Sequence, residues 1–162
     1  MINVLFVCHG NICRSPMCEF DFKDLVAKEG LSDSFNIESC ATSTEELGND
    51  MHYGAKEILD KNNVPYTKRK ARRINEDDIS NCDYILVMDD NNVRNMKYLF
   101  KDKHLKRVKK LLSYTKDDRD IRDPWWTGEF DETYEDVYNG CQALLKHIIK
   151  EKRLWFYLLM EQ

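Results

Sequence analysis

A short apolar run, Asn3-Val4-Leu5-Phe6-Val7, passes straight into Cys8-His9-Gly10-Asn11-Ile12-Cys13-Arg14, and Ser15-Pro16 then opens a helical pattern. This succession of strand, tight loop and helix constrains the fold more than any other feature of the chain. An unbroken apolar run bounded by turn residues reads as a strand buried on both faces, the habit of parallel strands. Pro16 to Glu29 has helical periodicity, with Met17, Phe20, Leu25 and Val26 as core positions. Ser15 is placed to cap that helix, Pro16 suits its first turn, and Gly30 ends it.

The alternation continues along the chain. Phe35 to Ser39, Tyr84 to Met88 and Val108 to Leu112 read as strands. Asp50 to Lys61, Asn91 to Phe100 and Tyr134 to Lys150 read as helices, the last with Val137, Cys141, Leu144, Leu145 and Ile148 on one face. Strands alternating with helices imply an α/β domain whose parallel sheet is covered on both faces. A chain of 162 residues suits one such domain with one core. In open sheets of this kind ligands bind outside the carboxyl ends of the strands. The segment from Cys8 to Ser15 is therefore the first place to look for chemistry.

Five residues separate Cys8 from Arg14. Backbone N–H groups in so tight a loop can converge on an anion, and the helix behind it adds a positive dipole end with unpaired donors. Arg14 supplies a planar guanidinium that can hold two phosphate oxygens at once. Those same charges favour the thiolate of Cys8, the nucleophilic form of a cysteine. Ser15 Oγ can hydrogen-bond that sulfur. Asn11 tolerates the left-handed turn a tight loop requires, and Gly10 permits close backbone approach. His9, Ile12 and Cys13 complete the phosphate-sized cradle.

Phosphate-ester cleavage also needs an acid for the leaving group. Asp123 stands out among 29 acidic residues because it lies in Asp123-Pro124-Trp125-Trp126. Pro124 keeps Asp123 out of helical geometry, and Trp125 and Trp126 can wall an aromatic pocket. The residues alone leave a second reading open, in which both tryptophans fill the core and Asp123 caps a turn.

Composition limits the alternatives. With 42% hydrophobic and 33% charged residues the chain reads as a soluble globular protein. A net charge of −4 argues against a nucleic-acid partner, and the basic cluster Lys68 to Arg73 reads as solvated surface. Met1 to Val7 carries no basic leader or small-residue cleavage site. A chain of this size needs no disulfide staples, so its six cysteines are expected as free thiols in a reducing, cytoplasmic compartment. The longest apolar run, Leu154 to Met160, is too short to span a membrane.

The loop Val7 to Pro16 and the later Asp123-Pro124-Trp125-Trp126, about 115 residues apart, resemble the low-molecular-weight protein tyrosine phosphatases. Ala41-Thr42-Ser43, Leu47-Gly48-Asn49, Ala71-Arg72 and Met88-Asp89 extend the resemblance to about Lys150. It implies a four-stranded parallel sheet with helices on both faces, a flavodoxin-like three-layer sandwich over residues 1–150. Residues 151–162 form a C-terminal extension, which could continue the last helix, dock on the domain or self-associate. It also implies a two-step reaction on phosphotyrosine proteins without metal or cofactor. Cys8 attacks phosphorus to form a phosphocysteine while Asp123 protonates the leaving phenol; Asp123 then activates water. Arg14 and the loop amides bind the equatorial oxygens, Asn11 and Ser15 hold the loop and thiolate, and Ser43 supports Asn11 from behind. Family analogy further suggests a reversible Cys8–Cys13 disulfide under peroxide.

The chain departs from the family's usual pattern in three places. Two tyrosines commonly follow the Asp-Pro pair, so phosphorylation there does not carry over to Trp125 and Trp126. Glu45 and Glu46 occupy a loop that often holds an aromatic wall residue, so a weaker aromatic clamp or an altered preference for residues around the phosphotyrosine is expected. His9 replaces a small or apolar residue and is expected to face solvent. Protein arginine phosphatases share the loop but typically carry Thr at the position of Ile12, so Ile12 favours a phenyl ring over a guanidinium. An arsenate reductase needs two further cysteines close together, whereas the next cysteine after Cys82 is Cys141. A phospho-residue binding module without turnover would often lack the nucleophile or the acid, and this chain has Cys8 and Asp123.

Overall fold

The computed structural model describes residues 1–101, 105–154 and 159. Four parallel strands, β1 (Ile2–Cys8), β2 (Phe35–Ala41), β3 (Tyr84–Val87) and β4 (Val108–Lys110), form one sheet in the order β2-β1-β3-β4. The first strand is thus central, and the sheet order reverses direction between β1 and β3, where an open α/β sheet offers a crevice. The register aligns Cys8 with Ala41 on one side and Val7 with Val87 on the other.

Strand alternation sorts β1 between two cores. Val4, Phe6 and Cys8 face the layer of α1 (Arg14–Lys28), α2 (Tyr53–Lys61) and α6 (Phe130–Glu151). Leu5 and Val7 face the layer of α3 (Glu76–Asn81) and α4 (Asp90–Phe100), with Ile79 and Met96 beneath them. The expected three-layer sandwich is therefore present, and the nucleophile candidate ends its strand on the α1 side. Met17, Phe20 and Val26 are buried, with Leu25 packed at the core's edge. The expected face of α6, Val137, Cys141, Leu144, Leu145 and Ile148, is buried throughout.

Several boundaries differ from the sequence reading, each for a local reason. α2 begins at Tyr53, because His52 rather than Asp50 caps it through Gly54 N–H. α3 was not expected; it rests on a capping box in which Asn75 and Asp78 satisfy each other's backbone N–H. β4 stops at Lys110 and continues as a 3₁₀ turn from Leu111 to Tyr114. A one-turn helix, α5 (Pro124–Thr127), follows Asp123. α6 starts at Phe130, a turn earlier than expected, and ends at Glu151. Beyond it Arg153 adopts a left-handed φ of 56° and Leu154 is buried against the core. The remainder of the expected extension, 155–158 and 160–162, lies outside the described residues. Among the described residues no helix is long and apolar enough to cross a membrane.

Candidate active site

Cys8 closes β1 at the floor of a pocket of about 570 Å³, walled by the loop that follows, Asp89 after β3, Asp123, and the two tryptophans of α5. The Cys8 sulfur accepts from the backbone N–H of Asn11 at 3.3 Å and of Ser15 at 3.4 Å. The Ser15 hydroxyl lies 3.0 Å from it. The amides of Gly10, Ile12 and Cys13 donate to no protein acceptor among the described residues. α1 starts at Arg14 with Cys13 at the capping position and no side-chain cap. Ser15 is therefore not the cap the sequence suggested, because its oxygen is engaged by Cys8 and Asn11 instead. The result is an uncapped helix end with its positive dipole pointing into the pocket.

Asn11 makes the loop possible. It is fully buried at φ 60°, the left-handed region. Its Nδ2 donates to Ser15 Oγ at 2.7 Å and to Ser39 Oγ at 2.9 Å. Its Oδ1 accepts from the Arg69 guanidinium and from Arg72 N–H. Arg69 can only donate, so the amide orientation is determined. Ser39 passes the bond on to Glu19 at 2.6 Å. Ser43 does not reach Asn11 as expected: it lies past the end of β2, and its hydroxyl donates to the His9 carbonyl at 2.8 Å. Ser39, on the α1 side of β2, is the serine that supports Asn11, and Arg69 of the basic cluster is half-buried behind the loop instead of fully solvated.

Arg14 is 2% exposed. Its Nη1 donates to Asp89 at 2.6 Å and to the Ile121 carbonyl at 2.8 Å, and Nη2 lies 3.5 Å from Asp123. Burial opposes the guanidinium charge, but Cys8, Asp89 and Asp123 outweigh it and hold Arg14 above its ordinary range. The Ile121 N–H donates to Met88 O at 2.9 Å, which pins the segment leading to Asp123 onto the end of β3. Asp123 caps α5 by accepting from Trp125 N–H at 3.1 Å. Both sequence readings of this motif thus hold in part: Asp123 caps a turn, while Trp125 and Trp126 stay at the pocket, 52% and 83% exposed, and do not fill the core.

The remaining expected residues fall at the rim or the wall. Ile12 is buried and lines the pocket. His9 faces outward, with its ring 3.0 Å from Glu45. Glu46 packs its stem over Gly10. Cys13 is buried beside the site; burial and the nearby Cys8 push its thiol well up, so it stays protonated. All six cysteines are free thiols. Asp89, Ile121, Ser39 and Arg69 are the site residues that the sequence reading did not single out.

A parallel α/β sheet whose central strand delivers a cysteine into an uncapped helix end beside a buried arginine has the donors and charge that suit an anion next to a thiol. The family model for low molecular weight phosphotyrosine protein phosphatase matches residues 3–154, and the chain belongs to that family of metal-independent, cysteine-dependent phosphatases. It is 40% identical over 156 residues to the low molecular weight protein-tyrosine-phosphatase YfkJ of Bacillus subtilis, covering 95% of this chain and all of the relative. It is 35% identical over 154 residues to PtpA of Staphylococcus epidermidis, covering 95% and 98% of the two chains. The crystal structure of YfkJ superposes with a TM-score of 0.91 over 94% of this chain and 97% of that one. That of the low molecular weight protein tyrosine phosphatase from Streptococcus pyogenes is 37% identical, with a TM-score of 0.85 over 95% and 97%.

Proposed function

We propose that this protein hydrolyses phosphotyrosine in proteins through a phosphocysteine on Cys8. The observation that carries the reading is the Cys8 sulfur at the pocket floor, held by two amides and the Ser15 hydroxyl, with Arg14 and Asp123 above it.

In the first step the Cys8 thiolate attacks phosphorus, and the bond from phosphorus to the phenolic oxygen breaks. Asp123 gives its proton to that oxygen. Nη1 of Arg14 is spent on Asp89 and the Ile121 carbonyl, which leaves Nε and Nη2 as the fork for two equatorial oxygens. The unpartnered amides of Gly10, Ile12 and Cys13 suit the rest of the charge, so the donors are in place before the transition state forms. In the second step Asp123, now ionised, takes a proton from water, which attacks phosphorus and releases the Cys8 thiolate. Ser15 stabilises the sulfur as it leaves, because a thiolate can only accept and the Ser15 hydroxyl lies 3.0 Å from it, nearer than its other acceptor, the Cys40 carbonyl at 3.4 Å.

Ile12 at the wall and the two tryptophans favour a flat aromatic leaving group. Six buried free thiols suit a reducing cytoplasmic compartment. The test is a panel of phosphotyrosine, phosphoserine and phosphoarginine peptides, run with wild type and Cys8→Ser. The expected outcome is turnover of the phosphotyrosine peptides alone, abolished in Cys8→Ser. Preferred turnover of phosphoarginine would contradict the substrate assignment, and activity surviving in Cys8→Ser would contradict the mechanism.

A further inference from the structure

His52 sits between the two halves of the site, although nothing in the reaction uses it. Its backbone N–H donates to the Ile12 carbonyl of the phosphate loop at 2.9 Å. Its ring stacks on Phe130 at 5.2 Å and 16°, and on Tyr53 at 4.4 Å and 28°. Phe130 in turn packs against the small buried cluster of Ile12, Cys13 and Ala71. On its edge the His52 ring meets Trp125, at 5.6 Å and 80°. An aromatic bridge therefore runs from the phosphate loop through Phe130 and His52 to the segment that carries Asp123.

We propose that His52 is a positioning residue: its ring buttresses Trp125 and so holds the Asp123 segment at its working distance from Cys8. This rests on the reading of Asp123 as the acid. Ile121 anchors the chain before Asp123 on the end of β3, but the turn after it, α5, spans only Pro124–Thr127 and buries Pro124 alone, so Trp125, half exposed, depends on its neighbours for its place. The bridge is rigid where it leaves the loop. His52 Nδ1 accepts from Gly54 N–H at 3.0 Å, which fixes the ring plane and places the neutral imidazole's proton on Nε2. A Cβ at Gly54 would fall 2.6 Å from the Phe130 ring, so the stack is closed against that side. The ring and the cap are separate properties of one residue, and two variants divide them. Asn keeps a capping acceptor but has no ring; Phe keeps a ring but has no acceptor.

The experiment compares kcat/KM for p-nitrophenyl phosphate, whose leaving group needs little help, with that for phenyl phosphate, whose leaving group needs the acid. The expected result is that His52→Asn raises the ratio by about tenfold over wild type, because displacing a catalytic group by a fraction of an ångström is enough for such a loss. His52→Phe keeps the ratio within about twofold of wild type while its thermal midpoint falls through loss of the cap. Asp123→Asn serves as the reference and raises the ratio further. An unchanged ratio in His52→Asn with a raised ratio in Asp123→Asn overturns the positioning role alone. Unchanged ratios in both overturn Asp123 as the acid, and the positioning role with it.

Discussion

The Ser15 hydroxyl lies 3.0 Å from the Cys8 sulfur, seven residues away across the phosphate loop. Asn11 holds that hydroxyl from the other side at 2.7 Å, so the contact is built into the loop before any substrate arrives. Ser15→Ala removes a hydrogen bond to a charged group, worth roughly 1.5–3 kcal/mol. The expected outcome is a fall in kcat of about ten- to hundredfold with KM little changed, because the bond matters most when sulfur leaves. Steady-state kinetics with p-nitrophenyl phosphate check it, and an unchanged kcat would remove Ser15 from the reaction.

Gly54 is a packing requirement. Helix propensity alone favours Gly54→Ala by up to about 1 kcal/mol. The added methyl would lie 2.6 Å from the Phe130 ring, and the ring is locked by the His52 stack. Overpacking of this kind costs roughly 1–3 kcal/mol, so the net change is destabilising. Urea unfolding of Gly54→Ala should show a lower midpoint than wild type; a higher one would mean that Phe130 moves freely.

Asp21 links stability to pH. It is 1% exposed between α1 and α6, with Tyr134 donating to Oδ1 at 2.8 Å and Oδ2 lacking a partner. Burial pushes its carboxyl up to about 6, against an ordinary value of 3.8, with the Tyr134 bond pulling the other way. Between those values the native state holds a proton that the unfolded chain releases, so unfolding becomes easier as pH rises. The contribution is present in full below about pH 4 and is lost as pH climbs through about 6, on the order of 3 kcal/mol in all. Asp21→Asn removes this dependence. The stability difference between wild type and Asp21→Asn, followed by urea unfolding from pH 4 to 7.5, should shift against wild type up to about pH 6 and then level off. A constant difference would contradict the account.

Much of the site was legible because it is contiguous. Strand, loop and helix follow one another without a gap from Ile2 to Lys28, so Cys8, Arg14 and Ser15 could be placed by local rules alone. Asp123 was legible for a similar reason, since Pro124 and two tryptophans mark it within four residues. What escaped depends on strand register. Asp89 and Ile121 reach Arg14 across 75 and 107 residues, and periodicity cannot align segments that far apart. Ser39 and Ser43 lie near the same strand end, and only the parallel pairing of β1 with β2 puts Ser39 beside Asn11. Arg69 looked like one more solvated cation in a basic run, and His52 looked like a residue inside a helix. Both gain their roles from neighbours distant in sequence.

Cys8 is expected to carry the phosphoryl group between the two steps. A rapid acid quench after mixing enzyme with a labelled phosphotyrosine peptide, followed by peptide mapping, tests it most directly. One phosphoryl group is expected on the peptide containing Cys8, present in wild type and absent in Cys8→Ser. A label on another residue, or turnover with no phosphoenzyme while Cys8→Ser remains active, would contradict it.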